Sequence, residues 1–504
     1  MQYEVVIGLE VHIQLRTATK LFCADAASFG AAPNTQAGVV TLAHPGTLPV
    51  LNQEAVRMAA MLGLALHSTI SPISHFDRKH YLYPDLPKGY QTSQHTHPIL
   101  VGGYLETPVY APDRLDEHGN AVNNPKAANP TTEAGTPANR VAIHHVHLEE
   151  DAGKSIHDAH EHYSCIDLNR AGTPLLELVT EPVIRSAEEA FAFLTQLRKL
   201  VRWLDICDGN MEEGSLRADA NVSVKLAGSQ TLGTKVEVKN LNSIRNLRRA
   251  IEAEASRQVS LLSSGQSVTQ ETRGYDADRN ITLPQRDKEE ANDYRYFPCP
   301  DLPPFTINQQ QIEGWKLQMP VLPQQLAASW VAQLGLPLAD ALVLTEEKAT
   351  ADYYVQLLQH NPAPKAAANW LIGPIKSYLN EHNLTIEELM LPPHALAQLI
   401  DLVQQGAVSF SMAATRLLPA LIAQPQQAAA SLAQTLGIVQ SSNMDELSQW
   451  VNEVLAAMPD KVKEYQKGKK GLLGLFVGEV KKRSKGKADP TATSKLLEEK
   501  LKIG

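Results

Sequence analysis

A proline-dense run, Tyr296-Phe297-Pro298-Cys299-Pro300-Asp301-Leu302-Pro303-Pro304, divides the 504-residue chain into two stretches that call for different folds. Proline fixes φ and removes a backbone donor, so four of them in a short run end regular structure. Ahead of the run the chain is rich in Gly, Thr, Asn and Pro. Short β-like runs stand there between turn residues: Tyr3 to Val11, Gly38 to Leu42, Ala220 to Val224 and Lys235 to Lys239. Two helices are predicted among them. Ser186 with Glu189 reads as a capping box, and Ala190, Leu194, Leu197, Val201 and Leu204 then recur at helical spacing. The other helix starts after Asn242-Ser243 and carries Ile244, Leu247, Ile251 and Ala255 on one side. Strands and helices do not alternate regularly, which favours an α+β fold over a doubly wound sheet. Residues 105–140, full of Pro, Asn, Ala, Thr and Gly without a period, read as an exposed insertion, a long hairpin or loop. Behind the proline run the chain turns Leu-, Ala- and Gln-rich, and helical patterns dominate. Asp489-Pro490 marks a helix start, with Leu496, Leu497 and Leu501 as its apolar face. The last ~65 residues read as a small helical bundle.

Composition removes several classes. No run of 18 apolar residues occurs, so no membrane-spanning helix is expected. Met1 to Ile7 shows no basic stretch followed by an apolar one, so no secretory signal is expected. Four scattered cysteines, none in a Cys-x-x-Cys pair, exclude a disulfide scaffold and a zinc ribbon and point to a reduced, cytoplasmic protein. The net charge of −9 hides an asymmetry. From Pro459 onward there are 13 Lys+Arg against 6 Asp+Glu, leaving −16 on the rest. A basic tail on an acidic body is either a localised polyanion contact or a solvated lysine-rich helix.

The chain contains no Walker A loop, no Rossmann fingerprint and no Gly-x-Ser-x-Gly elbow. Its chemistry has to come from acids mixed with His, Lys and Arg. In Gly8-Leu9-Glu10-Val11-His12, Glu10 and His12 sit two apart on a strand and face one side, where a carboxylate and an imidazole can share a divalent metal. His147-Leu148-Glu149-Glu150-Asp151-Ala152-Gly153-Lys154 places three acids in a row, which repel unless a cation compensates them. Met211-Glu212-Glu213-Gly214-Ser215-Leu216-Arg217 again joins acids, a glycine turn and an arginine. Each alone is weak, since a strand's solvent face can carry Glu10 and His12 and an acidic turn is usually just solvated; together they suggest a Mg²⁺ and phosphate site. Lys239-Asn240-Leu241-Asn242-Ser243 runs into a helix bearing Arg245, Arg248 and Arg249, which suits either an anion site or a capped basic helix. Phe76 to Gln91 packs three tyrosines, two prolines and alternating charges into sixteen residues, the make-up of a site-lining loop. The histidines His144, His145, His147, His157, His160 and His162 match no zinc-ligand frame and read as exposed loop residues.

These strings, with Asp77-Arg78-Lys79, Tyr81 through Gln91, Asp167-Leu168-Asn169-Arg170, Gly172-Thr173-Pro174-Leu175 and Asp293 through Pro298, resemble the B subunits of bacterial tRNA-dependent amidotransferases over essentially the whole chain. The resemblance implies an α+β cradle-shaped catalytic domain (1–305), an all-α helical domain (306–437) and a small YqeY-like helical tail (438–504) that touches tRNA. It implies a heterotrimer with an amidase (glutaminase) A subunit, which frees ammonia from glutamine, and a small C subunit. It further implies ATP- and Mg²⁺-dependent phosphorylation of the side-chain carboxylate of mischarged Glu-tRNA(Gln) or Asp-tRNA(Asn), followed by amidation. In that reading Glu10, His12, Glu149 and Glu150 hold the metal. Lys154, Glu213, Arg217, Lys239, Asn240 and Asn242 meet ATP and its phosphates, and Lys79, Tyr81 and Lys88 line the ammonia route or its gate. Lys467, Lys469, Lys470, Lys481, Lys482, Arg483, Lys485 and Lys487 would contact tRNA phosphates. A non-catalytic tRNA-binding scaffold for an amidase is the alternative; it has no need of converging acids. A stand-alone ATP-dependent ligase would need its own ammonia source, and no glutaminase nucleophile set is evident in the sequence.

Overall fold

A computed structural model describes residues 2–122, 139–156, 160, 162–287, 294–439, 444–484 and 488–502. The chain forms two compact units, Met1–Pro323 and Gln324–Gly504. In the first, the principal strands are β1 (Tyr3–Gln14), β2 (Asp77–His80), β3 (Tyr90–Ser93), β4 (Asn139–Glu150), β5 (Pro174–Thr180), β6 (Leu216–Leu226), β7 (Val236–Lys239), β8 (Glu271–Asp276) and β9 (Ile281–Asp287). The helices are α1 (Gln53–Ala65), α2 (Ala187–Trp203) and α3 (Ile244–Ser263). One large mixed sheet runs β9-β8-β7-β6-β1-β5-β4 and continues into the short strands Leu100–Val101 and Thr69–Ile70. Its pairs are antiparallel except β7 with β8. This is the irregular α+β order that the sequence predicts.

Strand period decides which face does what. On β1, Val5, Ile7, Leu9, Val11 and Ile13 are all at most 2% exposed and join the core with α2 and α3, while Glu10, His12 and Gln14 point to the other face. Both helices start where expected. Ser186 accepts from Glu189 N at 3.1 Å and Ser243 from Asn246 N at 3.1 Å. The reciprocal half of the first capping box is replaced: the Glu189 carboxylate accepts from Arg185 N at 2.8 Å instead.

One predicted strand changes against the structure. Gly38 to Leu42 is a turn, because Leu42 N donates to Gly38 O at 2.9 Å and Gly38 N to Asp25 Oδ2 at 2.7 Å. The 105–140 segment is bounded by a hairpin in which Tyr104–Thr107 pairs with Asn139–Ala142; its residues 123–138 lie outside the described residues. The first compact unit runs past 305. Phe305–Thr306 pairs with Ile73–Ser74, the helix Gln309–Leu317 packs on α1, and Trp203 Nε1 donates to Val321 O at 3.0 Å.

The second unit is helical throughout its described regular elements. Within it Leu447, Val451, Val454, Phe476, Val480, Leu497 and Leu501 close a core of their own. The last helix, Pro490–Lys502, is capped by Asp489, whose Oδ1 accepts from Ala492 N at 2.6 Å. Among the described residues no helix is long and apolar enough to cross a membrane.

Candidate active site

Register, more than sequence proximity, assembles the site. Across the polar face of the sheet, Arg217 of β6 stands opposite His12 of β1, His12 opposite Glu177 of β5, and Glu177 opposite His147 of β4. One row further, Asp219 stands opposite Glu10. Facing side chains of adjacent strands lie about 5 Å apart at Cβ, so each row becomes a contact chain. His12 Nε2 is 3.2 Å from Glu177 Oε2, and His147 Nε2 is 3.4 Å from that same oxygen and 3.2 Å from Glu149 Oε2. His12, Glu149 and Glu177 each offer a ligand atom, and these atoms lie within 4.8 Å of one another.

A small sheet of β2, β3 and Phe297–Pro298 hydrogen-bonds over one side of this face. Ser93 Oγ donates to Glu149 Oε2 at 2.8 Å, Gln91 Nε2 to Glu150 O at 2.9 Å, and Thr92 N to Glu150 Oε1 at 2.9 Å. The distinctive Phe76 to Gln91 segment therefore does line the site. An open cleft of about 410 Å³ remains beside it. Its walls carry His12, Glu149, Asp151, Glu177 and Asp219 together with Lys79, Arg217 and Lys239, and residues 240–242 line it as well.

The charges are strongly coupled. Burial opposes the charged form of His147, but Glu177 and Glu149 outweigh it and push its pKa up to about 10. His12 is likewise raised against its burial, chiefly by Glu177. Burial works against the Glu177 carboxylate too, yet the two imidazoles hold it well below the usual range. Burial lowers Lys239, but Asp219 and Glu237 more than compensate and keep it an ammonium; its Nζ is 2.7 Å from Asp219 Oδ2. Arg217 is set by Asp151 at 2.9 Å.

The candidates fall into groups. His12, Glu149, Arg217, Lys239, Asn240, Asn242, Lys79 and Tyr81 converge on the cleft. Glu10 shares the face of His12, but its carboxylate accepts from Asn221 Nδ2 at 2.8 Å and stays outside the ligand trio. Glu150 also stays outside the trio, salt-bridged to Lys88. Lys88 and Glu150 border a second cavity of about 20 Å³, room for one water-sized molecule, with Lys20, Cys23 and Thr41. Lys154 is exposed on the short strand Lys154–Ile156, and Glu213 is exposed in a turn, so neither lines the cleft. Arg248 pairs with Glu188 of α2. Lys467, Lys469, Lys470, Lys481, Lys482 and Arg483 are exposed on the C-terminal bundle; Lys485 and Lys487 lie outside the described residues.

Sequence reasoning passed over Glu177 and Lys20. Glu177 is the lone acid in Pro174-Leu175-Leu176-Glu177-Leu178-Val179, and a single carboxylate in an apolar strand is the signal that could have found it. Lys20 is wholly buried, with its Nζ 3.4 Å from Thr41 Oγ1 and from Leu168 O; no local pattern marks it.

Residues 5–313 match the model of the GatB/GatE catalytic domain, and residues 352–501 match that of the GatB domain. Among curated proteins, the B subunit of the aspartyl/glutamyl-tRNA(Asn/Gln) amidotransferase of Thermosynechococcus vestitus is 44% identical, covering 100% of this chain and 97% of its own length. The B subunit of the same description from Oleidesulfovibrio alaskensis is 44% identical over 99% of both chains. That of Ectopseudomonas mendocina is 45% identical over 99% of this chain and 100% of its own.

Proposed function

Because the chain belongs to the family of B subunits of tRNA-dependent amidotransferases, we propose that the cleft on the polar face of its sheet activates the side-chain carboxylate of a mischarged aminoacyl-tRNA and delivers it to ammonia. The chain is thus part of a glutamine-hydrolysing, multi-subunit ligase. The proposed substrates are Glu-tRNA(Gln) and Asp-tRNA(Asn), with ATP and Mg²⁺ as cofactors. The proposed partners are an amidase A subunit, which supplies the ammonia, and a small C subunit. The proposed setting is the cytoplasm.

The observation that carries this reading is the row Arg217–His12–Glu177–His147. It sets His12 and Glu177 among Glu149, Asp151 and Asp219 and the fixed cations Arg217 and Lys239 in one open cleft, which a scaffold does not need. The trio His12, Glu149 and Glu177 fits a divalent cation on its own chemistry. Its acids raise the pKa of both imidazoles that touch them, His12 and His147, so the site favours positive charge. When bound, Mg²⁺ neutralises charge on the transferring phosphoryl group.

The protein's own residues supply the rest. A carboxylate is a poor electrophile; attack of its oxygen on the γ-phosphorus, with departure of ADP, makes it an acyl phosphate. Arg217 and Lys239 are held in place by Asp151 and Asp219, so their charges are preorganised for phosphate oxygens. Asn240 and Asn242 add amide donors to the cleft wall. Ammonia then attacks the carbonyl carbon, phosphate leaves, and the nitrogen gives up a proton. The water-sized cavity beside Lys88 and Glu150 supports an ammonia route reaching the cleft past Gln91, Tyr81 and Lys79. Burial raises the Tyr81 pKa, so its hydroxyl stays a donor, to Gln91 Oε1 at 3.2 Å.

The test uses the assembled complex with Glu-tRNA(Gln) and ATP, without glutamine, in hydroxylamine. The expected result is ADP formation that depends on the charged tRNA, matched by a γ-glutamyl hydroxamate on the tRNA. ATP cleavage indifferent to the charged tRNA, or no hydroxamate, would contradict the reading.

A further inference from the structure

The strand that brings Glu149 to the site also carries a string of imidazoles, of which only His147 enters the row above. His144 Nδ1 lies 2.6 Å from His145 Nδ1, His145 Nε2 lies 3.2 Å from His147 Nδ1, and His147 Nε2 lies 3.2 Å from Glu149 Oε2. The rings of His145 and His147 stack at 5.3 Å with 16° between their planes. The string runs from an exposed residue to a buried one: His144 is exposed, His145 half-buried and His147 buried.

Its origin is a break in the sheet. Between β5 and β4 the register passes from Val179↔His145 to Thr180↔Ile143, so His144 is the extra, bulged residue. Alternation alone would send His144 to the opposite face from His145. A bulge re-aims side chains, and such breaks are frequent beside active sites. Here it lets the His144 ring turn back to the His145 ring.

We infer that His145, backed by His144, is a positioning residue that holds the His147 ring against Glu149 and Glu177, and so fixes those two carboxylates for the cation the site would take. The hydrogen-bond chemistry closes. Carboxylates only accept, so His147 Nε2 donates to them. A neutral His147 then accepts at Nδ1 from His145 Nε2–H, and His145 accepts at Nδ1 from His144. A protonated His147 donates at Nδ1, and the two outer bonds reverse. In both cases each ring has a partner and the same His147 nitrogen faces the acids. The low pKa of His145, about 4, set by burial and by His147 and His144, suits a neutral ring able to play either part. Partners of this outer kind that orient ligand groups change metal affinity by about 10–100-fold when removed.

The inference rests on the proposed cation site, and its test separates the two. Mn²⁺ alone is titrated into the assembled complex and followed by electron paramagnetic resonance, for wild type, Glu177→Ala, His145→Ala, His145→Phe and His145→Gln. The expected pattern is one tight site in wild type, lost in Glu177→Ala. His145→Ala and His145→Phe should weaken it about 10–100-fold, while His145→Gln, which can donate and accept, restores it to within a few-fold. Stacking without a hydrogen bond is what the phenylalanine variant retains. Wild-type affinity in His145→Ala, or equal loss in the Gln and Ala variants, would overturn the positioning role while leaving the cation site standing. A wild-type complex with no Glu177-dependent Mn²⁺ site would overturn both.

Discussion

Glu177 sits between Leu176 and Leu178 on a strand that otherwise packs apolar side chains, yet both His12 and His147 lean on its carboxylate. A buried charge persists only when paired, and here the pairing is written into the pKa values. His147 is raised from the ordinary imidazole value near 6.5 to about 10. Its stabilising contribution is therefore complete below about pH 6.5 and lost as pH climbs through about 10. Glu177 is depressed, so its contribution is present above its ordinary range, near 4.5, and lost only as pH falls through its lower folded value. In the absence of divalent metal, thermal midpoints should fall as pH is raised from 6.5 towards 10. Glu177→Gln should flatten much of that fall. An unchanged slope in the variant, measured by scanning calorimetry in chelator, would show that the pair does not govern it. At this scale the sequence is half legible. Glu10 and His12 on one face follow from strand period alone, whereas the Glu177 contact depends on which strand lies beside β1, and nothing local to either segment says so.

Between elements, α3 fastens the edge of the sheet that carries Lys239. Its apolar stripe Leu247, Ala250, Ile251, Ala255 and Val259 is legible as a helical period and is buried as that period requires. Its polar fastening is not legible. Glu254 is wholly buried and accepts from Arg257 at 2.7 and 2.9 Å, Gln258 at 2.9 Å and Thr282 of β9 at 2.6 Å. Gln258 in turn donates to Val222 O of β6 at 3.0 Å. Removing one member of such a network leaves buried partners uncompensated, so Glu254→Ala should cost about 3–5 kcal/mol in chemical denaturation. Ser186→Ala, which removes only a helix cap, should cost about 1 kcal/mol. Equal small losses in both would mean that the Glu254 network contributes little. The helical period places α3 but not the network, because Glu254 on a helix reads as solvated until the strands that cover it are known. Gly38 to Leu42 failed in the opposite sense: its β-like composition was overridden by the Asp25 side chain, which captures Gly38 N and holds the segment as a turn.

For the whole molecule, the charge asymmetry acquires a physical base. The C-terminal bundle has its own apolar core, and its lysines around 467–470 and 481–483 are exposed on the outside of it. A lysine-rich surface on a net-acidic chain should bind a polyanion mainly through phosphates. Truncating the chain from about Ser441 should leave the remainder folded, weaken tRNA binding, and reduce the dependence of affinity on salt. Equal affinities and equal salt slopes for full-length and truncated complexes would instead make the bundle a solvated helical tail.

If phosphoryl transfer takes place at the His12–Glu149–Glu177 site and glutamine hydrolysis elsewhere in the assembly, the two activities must separate on mutation. The direct measurement takes one preparation of the complex carrying His12→Ala, and another carrying Glu177→Ala, and records tRNA-dependent ATP cleavage and basal glutamine hydrolysis side by side. ATP cleavage is expected to fall about 10²–10³-fold, the usual consequence of removing preorganised electrostatic groups, while basal glutamine hydrolysis persists. ATP cleavage at the wild-type rate in either variant would contradict the assignment of phosphoryl transfer to this site.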